Sequence, residues 1–236
     1  MAGLNGQGAI VTGGTRGIGL EIARALLAEG AIVAICGRRA DSLRDALASL
    51  APDGRVVGAC CDVGSWDQAV GFFDFVDREL SGLDILVNNA GVGHFAPVDE
   101  IAPEQWQEVI GTNLTGAFHF TRLAAPRMKR RGGGFILNIG SLAGKHPFAS
   151  GAAYNASKFG LAGFTEACML DLRYDNIRVS TIMPGSVQTE FSSSTTGADW
   201  KLDPASIASM AVHLIKTPAR NLASRVEMRP SRPRKR

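Results

Sequence analysis

The sequence predicts an α/β fold: one domain over residues 1–228, in which a doubly wound, mostly parallel sheet carries helices on both faces. Two observations lead to this class. Apolar, strand-like runs alternate with helix-like segments along the whole chain, and crossover helices of this kind connect parallel strands. The runs are also nearly continuous in Val, Ile, Leu and Ala, as strands buried on both faces require. A length of 236 residues suits a single core.

Each element is predicted from its local pattern. Strand-like runs lie at 8–12, 31–36, 55–60, 84–89, 135–140, 178–183 and, in a shorter run, 224–228. Helical spacing of apolar residues lies at 17–29, 40–50, 65–80, 103–130, 152–174 and 203–216. Pro126 falls inside the fourth helical pattern and predicts a kink or an interruption there, because proline removes a helical hydrogen bond. The Ser/Thr-rich stretch 191–200 predicts a mobile loop.

The positive charge of the chain is concentrated at its end. The 25 Lys and Arg residues outnumber the 22 Asp and Glu residues, but five of the basic groups and none of the acids lie in the last eight residues, RPSRPRKR. Without these residues 20 basic groups face 22 acidic ones, so a basic binding face on the fold is not indicated. The tail 229–236 is expected to be disordered and solvated, with contact to nucleic acid or another polyanion as the alternative.

The cysteines and the N-terminal residues bear on the compartment. Cys36, Cys60, Cys61 and Cys168 show neither CxxC nor metal-ligand spacing, so reduced thiols and no metal ion are expected. The N-terminal stretch lacks the basic region of a secretory signal, and no run of about 18 apolar residues occurs. We therefore expect a cytoplasmic protein without a membrane span.

A glycine-rich loop, TGGTRGIG at 12–19, lies between the first predicted strand and the first predicted helix. Gly13 permits a tight turn, Gly17 lets the backbone approach a pyrophosphate, and Gly19 allows the helix to pack closely on the strand. The helix N-terminus then offers unpaired N–H groups to phosphate. This context predicts a dinucleotide-binding Rossmann fold. The predicted contacts are Gly13, Thr15, Arg16, Gly17, Ile18 and Gly19.

The end of the second strand bears on which dinucleotide is used. An acidic residue there would bond the adenosine 2′-hydroxyl of NAD. This chain has Arg38 and Arg39 instead, and Arg16 in the glycine-rich loop can approach the same region. Guanidinium groups suit a 2′-phosphate, which they can hold with forked, charge-assisted hydrogen bonds. The sequence predicts NADP(H), and the alternative is that these are ordinary exposed arginines.

The stretch YNASK at 154–158 places a tyrosine and a lysine four residues apart, on one face of a predicted helix. An isolated phenol has a pKa near ~10 and transfers protons poorly at neutral pH. A unit charge about 4 Å away contributes about 4 kcal/mol at an effective dielectric of about 20. That energy would lower the phenol pKa from ~10 toward ~7. We therefore expect Lys158 to make Tyr154 a proton donor and acceptor near neutral pH.

Seven motifs in a fixed order carry a resemblance to a known family. They are TGGTRGIG (12–19), CDV (61–63), NNAG (88–91), NLTG (113–116), SL (141–142), YNASK (154–158) and PGSVQT (184–189). Over nearly the whole chain they resemble the motifs of the short-chain dehydrogenases/reductases. The tyrosine–lysine pair, with a serine upstream of it, is the most specific part.

The resemblance implies four catalytic roles. Tyr154 would give a proton to a substrate carbonyl oxygen as hydride arrives from the nicotinamide, and Ser141 would hydrogen-bond that oxygen. Lys158 would hold the nicotinamide ribose, while Asn113 would anchor a water that relays protons from Lys158. Taken singly, Ser141 also suits a strand-end cap and Asn113 a buried structural amide. Their occurrence in register favours the catalytic interpretation.

The resemblance also implies cofactor contacts along the strand ends. Those near the adenosine are Asp62, Val63, Asn89, Ala90 and Gly91. Those near the nicotinamide are Tyr154, Lys158, Pro184, Gly185, Val187 and Thr189. Asp62 by itself would equally suit a turn before a helix. Members of the family commonly assemble as tetramers, so a homotetramer or homodimer through the helices at 103–130 and 152–174 is expected.

The motifs describe hydride chemistry and leave the substrate open. The basic run KRR at 129–131 resembles the patch by which 3-oxoacyl carrier-protein reductases dock an acidic carrier, although cations at a helix C-terminus also stabilise its dipole. His94 with Phe95, and His146 with Phe148, are candidates for lining a substrate pocket or for simple packing.

The sequence thus predicts an NADPH-dependent oxidoreductase that reduces the carbonyl group of a small molecule, free or carrier-linked, to a secondary alcohol. Neither nucleic acid nor a membrane is an expected partner. The alternative is a non-catalytic protein that senses NADP and holds a partner with its basic tail. The complete set of Ser, Tyr, Lys and Asn favours the enzyme, because a binding protein has no evident need for all four.

Overall fold

The computed structural model of the protein describes residues 3–189 and 199–233, so residues 191–198 of the predicted Ser/Thr-rich loop lie outside it. Within the described residues seven parallel strands form one sheet. The strands are β1 (Gly8–Thr12), β2 (Ile32–Gly37), β3 (Val56–Cys60), β4 (Ile85–Asn88), β5 (Gly134–Ile139), β6 (Ile177–Pro184) and β7 (Arg225–Met228). The helices are α1 (Gly17–Ala28), α2 (Ala40–Leu50), α3 (Trp66–Glu79), α4 (Pro103–Ile110), α5 (Gly116–Arg130), α6 (Ala152–Leu172) and α7 (Pro204–Lys216).

The strand order is β3-β2-β1-β4-β5-β6-β7, which is the doubly wound order of a Rossmann fold. The chain builds outward from β1 to β3 on one side, then crosses back and continues from β4 to β7 on the other. A crevice opens at the carboxyl ends of β1 and β4, where the order reverses. The predicted fold class is confirmed, and the sheet is parallel throughout the described strands.

The sheet is covered on both faces by apolar clusters. Val11 belongs to the cluster that includes Ile22 of α1 and Ile207 of α7. Its neighbour Ile10 belongs to the cluster on the opposite face, which includes Phe73 of α3. Successive side chains of a strand point to opposite faces, so a strand covered on both sides needs apolar residues at every position. This is why GAIVT shows no polar alternation.

The long helix predicted at 103–130 is interrupted at a different place from the one expected. A π-helical turn over Gly111–Thr115 separates α4 from α5, whereas α5 continues through Pro126 to Arg130. Pro126 lacks only the N–H that would bond to residue 122, and the remaining bonds hold the helix. A π-helical turn adds one residue to the hydrogen-bonded ring and often marks a functional site. Here it contains Asn113.

The last strand, β7, lies at one edge of the sheet, and the residues after it lie at the carboxyl ends of the strands. The Gly185 amide donates to the Met228 carbonyl at 2.8 Å, which fixes the point where β7 ends. Of the tail 229–236, which the sequence predicts to be disordered, the structure describes residues 229–233, and Arg229, Pro230 and Pro233 line the cavity described below. Residues 234–236 of the tail lie outside the described residues. None of the described helices is long and apolar enough to cross a membrane.

Candidate active site

A cavity of about 770 Å³ opens at the carboxyl ends of the strands. Ligands of doubly wound sheets bind in this position. The structure brings most of the predicted cofactor residues to its wall. These are Gly13, Thr15, Arg16, Gly17, Ile18, Arg38, Arg39, Asp62, Val63, Asn89, Ala90, Gly91, Tyr154, Lys158, Pro184, Gly185, Val187 and Thr189.

The glycine-rich loop has the geometry that a pyrophosphate requires. Gly13 and Gly17 adopt positive φ angles of 63° and 54°, which side chains other than glycine rarely accept. A Cβ atom on Gly17 would also lie 3.3 Å from Thr189 Cγ2 and narrow the space above the loop. The first turn of α1 contains no acidic residue, and its N-cap residue Arg16 makes no capping side-chain bond. The described residues therefore leave a helix N-terminus suited to phosphate.

Gly19 does not line the cavity, and its role is packing. A Cβ atom there would lie 2.3 Å from the Gly13 carbonyl oxygen and 2.4 Å from Asn89 Nδ2. Asn89 itself donates from Nδ2 to the carbonyl oxygens of Thr12 and Gly13, at 3.0 and 3.1 Å. The end of β4 is thereby tied to the start of the glycine-rich loop, and only a glycine at residue 19 leaves room for that connection.

The adenosine end of the cavity is basic. Arg16, Arg38 and Arg39 all contribute to its wall. Arg38 donates from Nη1 to Glu108 Oε1 of α4 at 2.7 Å, and His94 Nε2 lies 2.7 Å from the other oxygen of Glu108. The hydrogen bonds from His94 and Arg38 lower the pKa of the Glu108 carboxyl. His94 is engaged in this contact and does not line the cavity, contrary to one of the sequence-based candidates.

Two thiols on this wall were not anticipated as site residues. Cys36 is the last residue but one of β2 and Cys61 follows β3, and both are buried and line the cavity. A side-chain hydrogen bond with Cys61, together with burial, raises the pKa of the Cys36 thiol, while the same bond lowers the pKa of Cys61. The neighbouring Asp62 accepts the Gly64 amide at 2.9 Å, so it is a turn residue as well as a cavity residue. Cys61 adjoins the predicted contact Asp62, and Cys36 lies two residues before the predicted contact Arg38, so nearness in sequence was the available signal.

Tyr154 and Ser141, both predicted to be catalytic, lie together at one end of the cavity, which we call the catalytic end after that prediction. Ser141 lies two residues beyond β5 and accepts the Ala143 amide at 3.1 Å, which fixes its hydroxyl group. Burial raises the pKa of Tyr154, and a hydrogen bond with Ser141 lowers it by less. One turn further along α6, Lys158 is 5% exposed and donates from Nζ to the Ile139 carbonyl at 2.9 Å. Burial lowers the pKa of Lys158 to about 8.

The expected effect of Lys158 on the Tyr154 phenol is therefore corrected. The sequence predicted that the ammonium group would lower the pKa of Tyr154 toward neutrality, but the pKa is raised. Lys158 Nζ lies 5.7 Å from the centroid of the phenol ring and bonds to Ile139 instead. Loss of hydration on burial disfavours the charged form of both groups, so the phenol is held protonated and the amine loses its proton more readily.

Asn113 lies below the cavity floor and does not line it. Its Oδ1 accepts the Val92 amide at 2.8 Å, and its Nδ2 donates to the Val92 carbonyl and to Ser157 Oγ. Both ends of the amide therefore have protein partners. The expectation that Asn113 anchors a relay water gains no support from its side chain, which instead joins the π-helical turn to α6 and to the segment after β4.

Aromatic and polar side chains surround the catalytic end. His146 and Phe148 line the cavity as predicted, whereas Phe95 does not. Phe95 is instead a packing partner, with its ring centroid 5.7 Å from that of Tyr154 and 5.9 Å from that of Phe148. Edge and tilted contacts of this kind hold aromatic rings in place. Phe95 thus orients the tyrosine from outside the cavity.

A further part of the cavity wall comes from residues that the sequence analysis did not assign to the site. Trp200 and Lys201 precede α7, and Arg229, Pro230 and Pro233 follow β7; all five line the cavity. No motif marks them. Their position depends on where the sheet edge ends, which local sequence does not specify.

The basic run at 129–131 lies far from this end of the sheet. It closes α5 just before β5 begins, at the amino ends of the parallel strands, whereas the cavity is at their carboxyl ends. Lys129 pairs with Asp175 at 2.7 Å, and Arg131 pairs with Asp84 at 3.1 Å. Within one chain the run therefore does not adjoin the catalytic residues.

Comparison with known proteins agrees with this geometry. The short chain dehydrogenase family pattern matches residues 7–199. The D-beta-hydroxybutyrate dehydrogenase of Cupriavidus necator is 40% identical over 187 residues, which are 79% of this chain and 72% of that protein.

Two solved structures share the whole fold. One is a metagenomic short-chain oxidoreductase in complex with NADP, with a TM-score of 0.86 and 36% identity over 98% of this chain and 99% of that one. The other is a variant of actinorhodin polyketide ketoreductase with NADPH, with a TM-score of 0.91 and 35% identity over 98% of each chain. The family pattern covers most of the chain and the fold is shared with these structures, so the protein belongs to the short-chain dehydrogenase/reductase family of oxidoreductases.

Proposed function

We propose that this protein is an NADPH-dependent reductase that converts a ketone into a secondary alcohol. The observation that carries the proposal is the hydrogen-bonded pair of Tyr154 and Ser141, which shares one cavity with the glycine-rich loop. A proton donor and a dinucleotide site are thus connected without a barrier of protein atoms between them. The relatives point the same way, since one is named a ketoreductase and contains NADPH.

The chain supplies a proton, a binding site for the carbonyl oxygen and a fixed geometry. NADPH, when bound, supplies the hydride that reduces the carbonyl carbon. Tyr154 gives its hydroxyl proton to the carbonyl oxygen, which becomes the alcohol oxygen. Ser141 holds that oxygen, and its own position is fixed by the Ala143 amide. Because burial keeps the phenol protonated at neutral pH, the donor is present in the form that reduction consumes.

Lys158 serves this reaction as a buried cation beside the ring of Tyr154. Its pKa of about 8 leaves it charged at neutral pH, while its bond to the Ile139 carbonyl fixes its direction. A cation so placed favours a ribose hydroxyl and stabilises negative charge that develops on the tyrosine oxygen as its proton leaves.

The preference for NADP(H) is proposed from the basic adenosine end. Arg38 uses one N–H donor in its hydrogen bond to Glu108. A guanidinium group has five N–H donors, so the remaining donors of Arg38 can bind a phosphate. Arg16 and Arg39 contribute to the same wall. Two structures with this fold contain NADP or NADPH, which agrees with the proposal.

The proposed assembly is a homo-oligomer through α5 and α6. Phe118 and Phe159 are 44% and 45% exposed, and Leu170 is 54% exposed, although all are large apolar side chains. Phe118 packs edge-on against Phe164 of the neighbouring helix, at 6.4 Å between ring centroids. Adjacent exposed apolar residues on two helices favour contact with another protein surface.

The central test replaces the proposed proton donor. Tyr154→Phe keeps the ring and its packing but removes the hydroxyl proton. NADPH oxidation is measured with a panel of simple ketones, β-ketoesters and acyl thioesters, and NADPH affinity by fluorescence titration. We expect turnover to fall by at least about 100-fold while affinity for NADPH changes little. Turnover by the variant at the wild-type rate would refute the mechanism.

The same panel separates the substrate classes. A carrier-linked 3-oxoacyl thioester remains a candidate on the strength of the ketoreductase relative. The position of the run 129–131 offers it no docking surface near the cavity of the same chain. A higher kcat/KM for thioesters than for simple ketones of the same length would favour it.

The alternative of a non-catalytic NADP sensor with a partner-binding tail is not favoured. Its tail would need to be available to a partner, but Arg229, Pro230 and Pro233 of the tail line the cavity. Deleting residues 229–236 would therefore alter the cavity as well as the tail. A deletion of 234–236 alone removes three basic residues and leaves the described wall intact, so it separates the two effects.

A further inference from the structure

We propose that the substrate of this enzyme is a ketone that carries a negative charge, and that Arg229 binds the charged group. The inference rests on the proposed carbonyl reduction and adds the chemical class of the substrate. It is carried by the contact of Arg229 with His146, which is bonded to the turn that Ser141 begins, by the excess of positive charge beside Arg229, and by the N–H donors of Arg229 that no described residue uses.

Arg229 is held at the catalytic end by its neighbours in the chain. Met228 pairs with Pro184 across β7 and β6, and its carbonyl accepts the Gly185 amide at 2.8 Å. Pro230 packs over the same glycine, since a Cβ atom on Gly185 would lie 3.4 Å from Pro230 Cδ. Arg229 lies between these two fixed residues, so the backbone leaves it little freedom to move away from the cavity.

A short chain of contacts connects Arg229 with Ser141. Arg229 Nη2 lies 3.2 Å from His146 Nε2. His146 donates its amide to the Leu142 carbonyl at 2.8 Å, within the turn that Ser141 begins. A ligand whose carbonyl oxygen meets Ser141 would therefore have Arg229 within reach of a group a few bonds away.

The charges at this end do not balance. Glu227 accepts from Lys145 at 2.7 Å and from Arg229 at 3.0 Å, so two cations share one carboxylate. The hydrogen bonds from Lys145 and Arg229 lower the pKa of Glu227 to about 2, which keeps it ionised at neutral pH. One positive charge remains in excess. Among the described residues of the cavity wall the carboxylate is Asp62, at the adenosine end.

Arg229 has donors to spare. Both of its contacts with described residues use Nη2, so Nη1 and Nε remain for a ligand. A guanidinium group offers a planar fork that matches a carboxylate or a phosphate. Apolar side chains of Leu142, Phe148 and Trp200 line the same cavity and suit the carbon skeleton between the ketone and the anion. A short oxo acid meets all of these features, and a ketone phosphate shares its negative sign of charge.

The test compares each anionic ketone with a neutral partner of similar shape. The pairs are acetoacetate with methyl acetoacetate, levulinate with methyl levulinate, and dihydroxyacetone phosphate with dihydroxyacetone. We expect the wild-type enzyme to show a kcat/KM at least about 10-fold higher for the anion in one pair. Arg229→Gln should lower that value by about 10- to 100-fold, mainly through KM, and leave the neutral ketone within about 2-fold. Arg229→Lys should recover part of the loss.

Arg232→Gln is the matched control, because it removes the same charge three residues further along, at a position that does not line the cavity. It should behave as the wild type. Equal losses for anionic and neutral ketones in Arg229→Gln, or a wild-type preference for neutral ketones, would overturn the proposal. Which pair responds distinguishes a carboxylate from a phosphate.

A binding measurement tests the anion site independently of the proposed carbonyl reduction. Calorimetric titration of the NADP⁺ complex with 3-hydroxybutyrate, and with glycerol 3-phosphate, should give binding that Arg229→Gln weakens about 10-fold or more. If no ketone is reduced but this binding and its loss are seen, the proposed reduction fails and the anion site stands. If ketones are reduced and neither anion binds more tightly to the wild type, the anion site fails alone.

Discussion

Tyr154 and Lys158 share one face of α6, and burial acts on their side chains in opposite directions. It raises the pKa of the phenol and lowers that of the amine to about 8. The phenol is therefore protonated over the whole neutral range, and the lysine is the group of the pair that titrates close to it. Spacing along a helix could bring the two side chains together, but it could not reveal that the Ile139 carbonyl accepts a hydrogen bond from the lysine.

The buried charge of Lys158 makes stability depend on pH. Its pKa is about 8 in the folded protein against 10.5 in the unfolded chain, so burial of the charge costs up to about 3 kcal/mol below pH 8. The unfolded chain binds more protons between these values, and stability contributed by this group rises with pH through that window. Lys158→Met lacks the titration. We expect its stability relative to the wild type to fall by about 2–3 kcal/mol from pH 7 to pH 10.

Urea unfolding of both proteins without cofactor, at pH 7, 8, 9 and 10, measures this difference. The quantity compared is the change of the free energy of unfolding with pH. The hydrogen bond that the variant also loses does not titrate, so it does not alter that change. Two curves that stay parallel across the range would show that Lys158 is hydrated in the folded protein.

Arginine side chains at the adenosine end are expected to decide between the two dinucleotides. Arg38→Gln combined with Arg39→Gln removes the charges proposed to hold the 2′-phosphate. We expect the Kd for NADPH to rise by about 10- to 100-fold and the Kd for NADH to change by less than about 3-fold. Fluorescence titration of both cofactors measures this. Arg44→Gln, on the exposed face of α2, is the control for lost charge, and similar wild-type affinities for NADPH and NADH would contradict the assignment.

At the scale of single elements, α1 shows how tightly the glycine-rich loop is packed. Gly17 provides a backbone angle, whereas Gly19 provides space for the Gly13 carbonyl and for Asn89. The sequence motif already assigns them different roles, with close approach of the backbone to a pyrophosphate at Gly17 and close packing at Gly19. In the structure one of them faces the cavity and the other is enclosed between α1 and the strand ends.

Gly19→Ala should therefore damage folding and binding together. Its Cβ atom would lie 2.3 Å from a backbone oxygen, which cannot move without shifting the loop. We expect a loss of about 1–3 kcal/mol in the free energy of unfolding and a large loss of NADPH affinity. Gly71→Ala on α3 is the control, because a Cβ atom there meets nothing within 4 Å. It should gain about 0.5–1 kcal/mol from helix propensity. A Gly19 variant as stable as the wild type would contradict the packing argument.

At the scale of the whole molecule, a single chain leaves apolar surface of two helices exposed to solvent. The apolar side chains Phe118, Phe159 and Leu170 lie on α5 and α6, the helices expected to form the oligomer. Phe159 and Leu170 are exposed large apolar side chains of α6, and Phe118 is one of α5. A parallel sheet covered on both sides does not need them for its own core.

Leu170→Glu should disrupt that assembly. It places a charge on a residue that is 54% exposed in the single chain, so the chain should fold while association is weakened. We expect light scattering after size exclusion to show a smaller species, with fold preserved by circular dichroism. Ala48→Glu, at an exposed position of α2, adds the same charge elsewhere and should leave the assembly unchanged. An unchanged mass for Leu170→Glu would place the interface on another surface.

Local sequence determined much of this protein. Continuous apolar runs specified strands such as Gly8–Thr12, because a strand covered on both faces needs apolar residues at every position. The glycine-rich loop and the tyrosine–lysine pair specified which residues meet at the strand ends, because their spacing matches a turn and one face of a helix. These are local relations, and each depends on residues close together in the chain.

The tertiary structure decided what depends on distant residues. Burial, not spacing, set the pKa of Tyr154, because loss of water is a property of everything packed around a group. The helix break came at Gly111–Thr115 and not at Pro126, where the contacts between Asn113, Val92 and Ser157 hold the π-helical turn. Arg229, Pro230 and Pro233 of the basic tail line the cavity, because the pairing of β7 with β6 places Arg229 beside His146. No local pattern encodes a contact over such a separation.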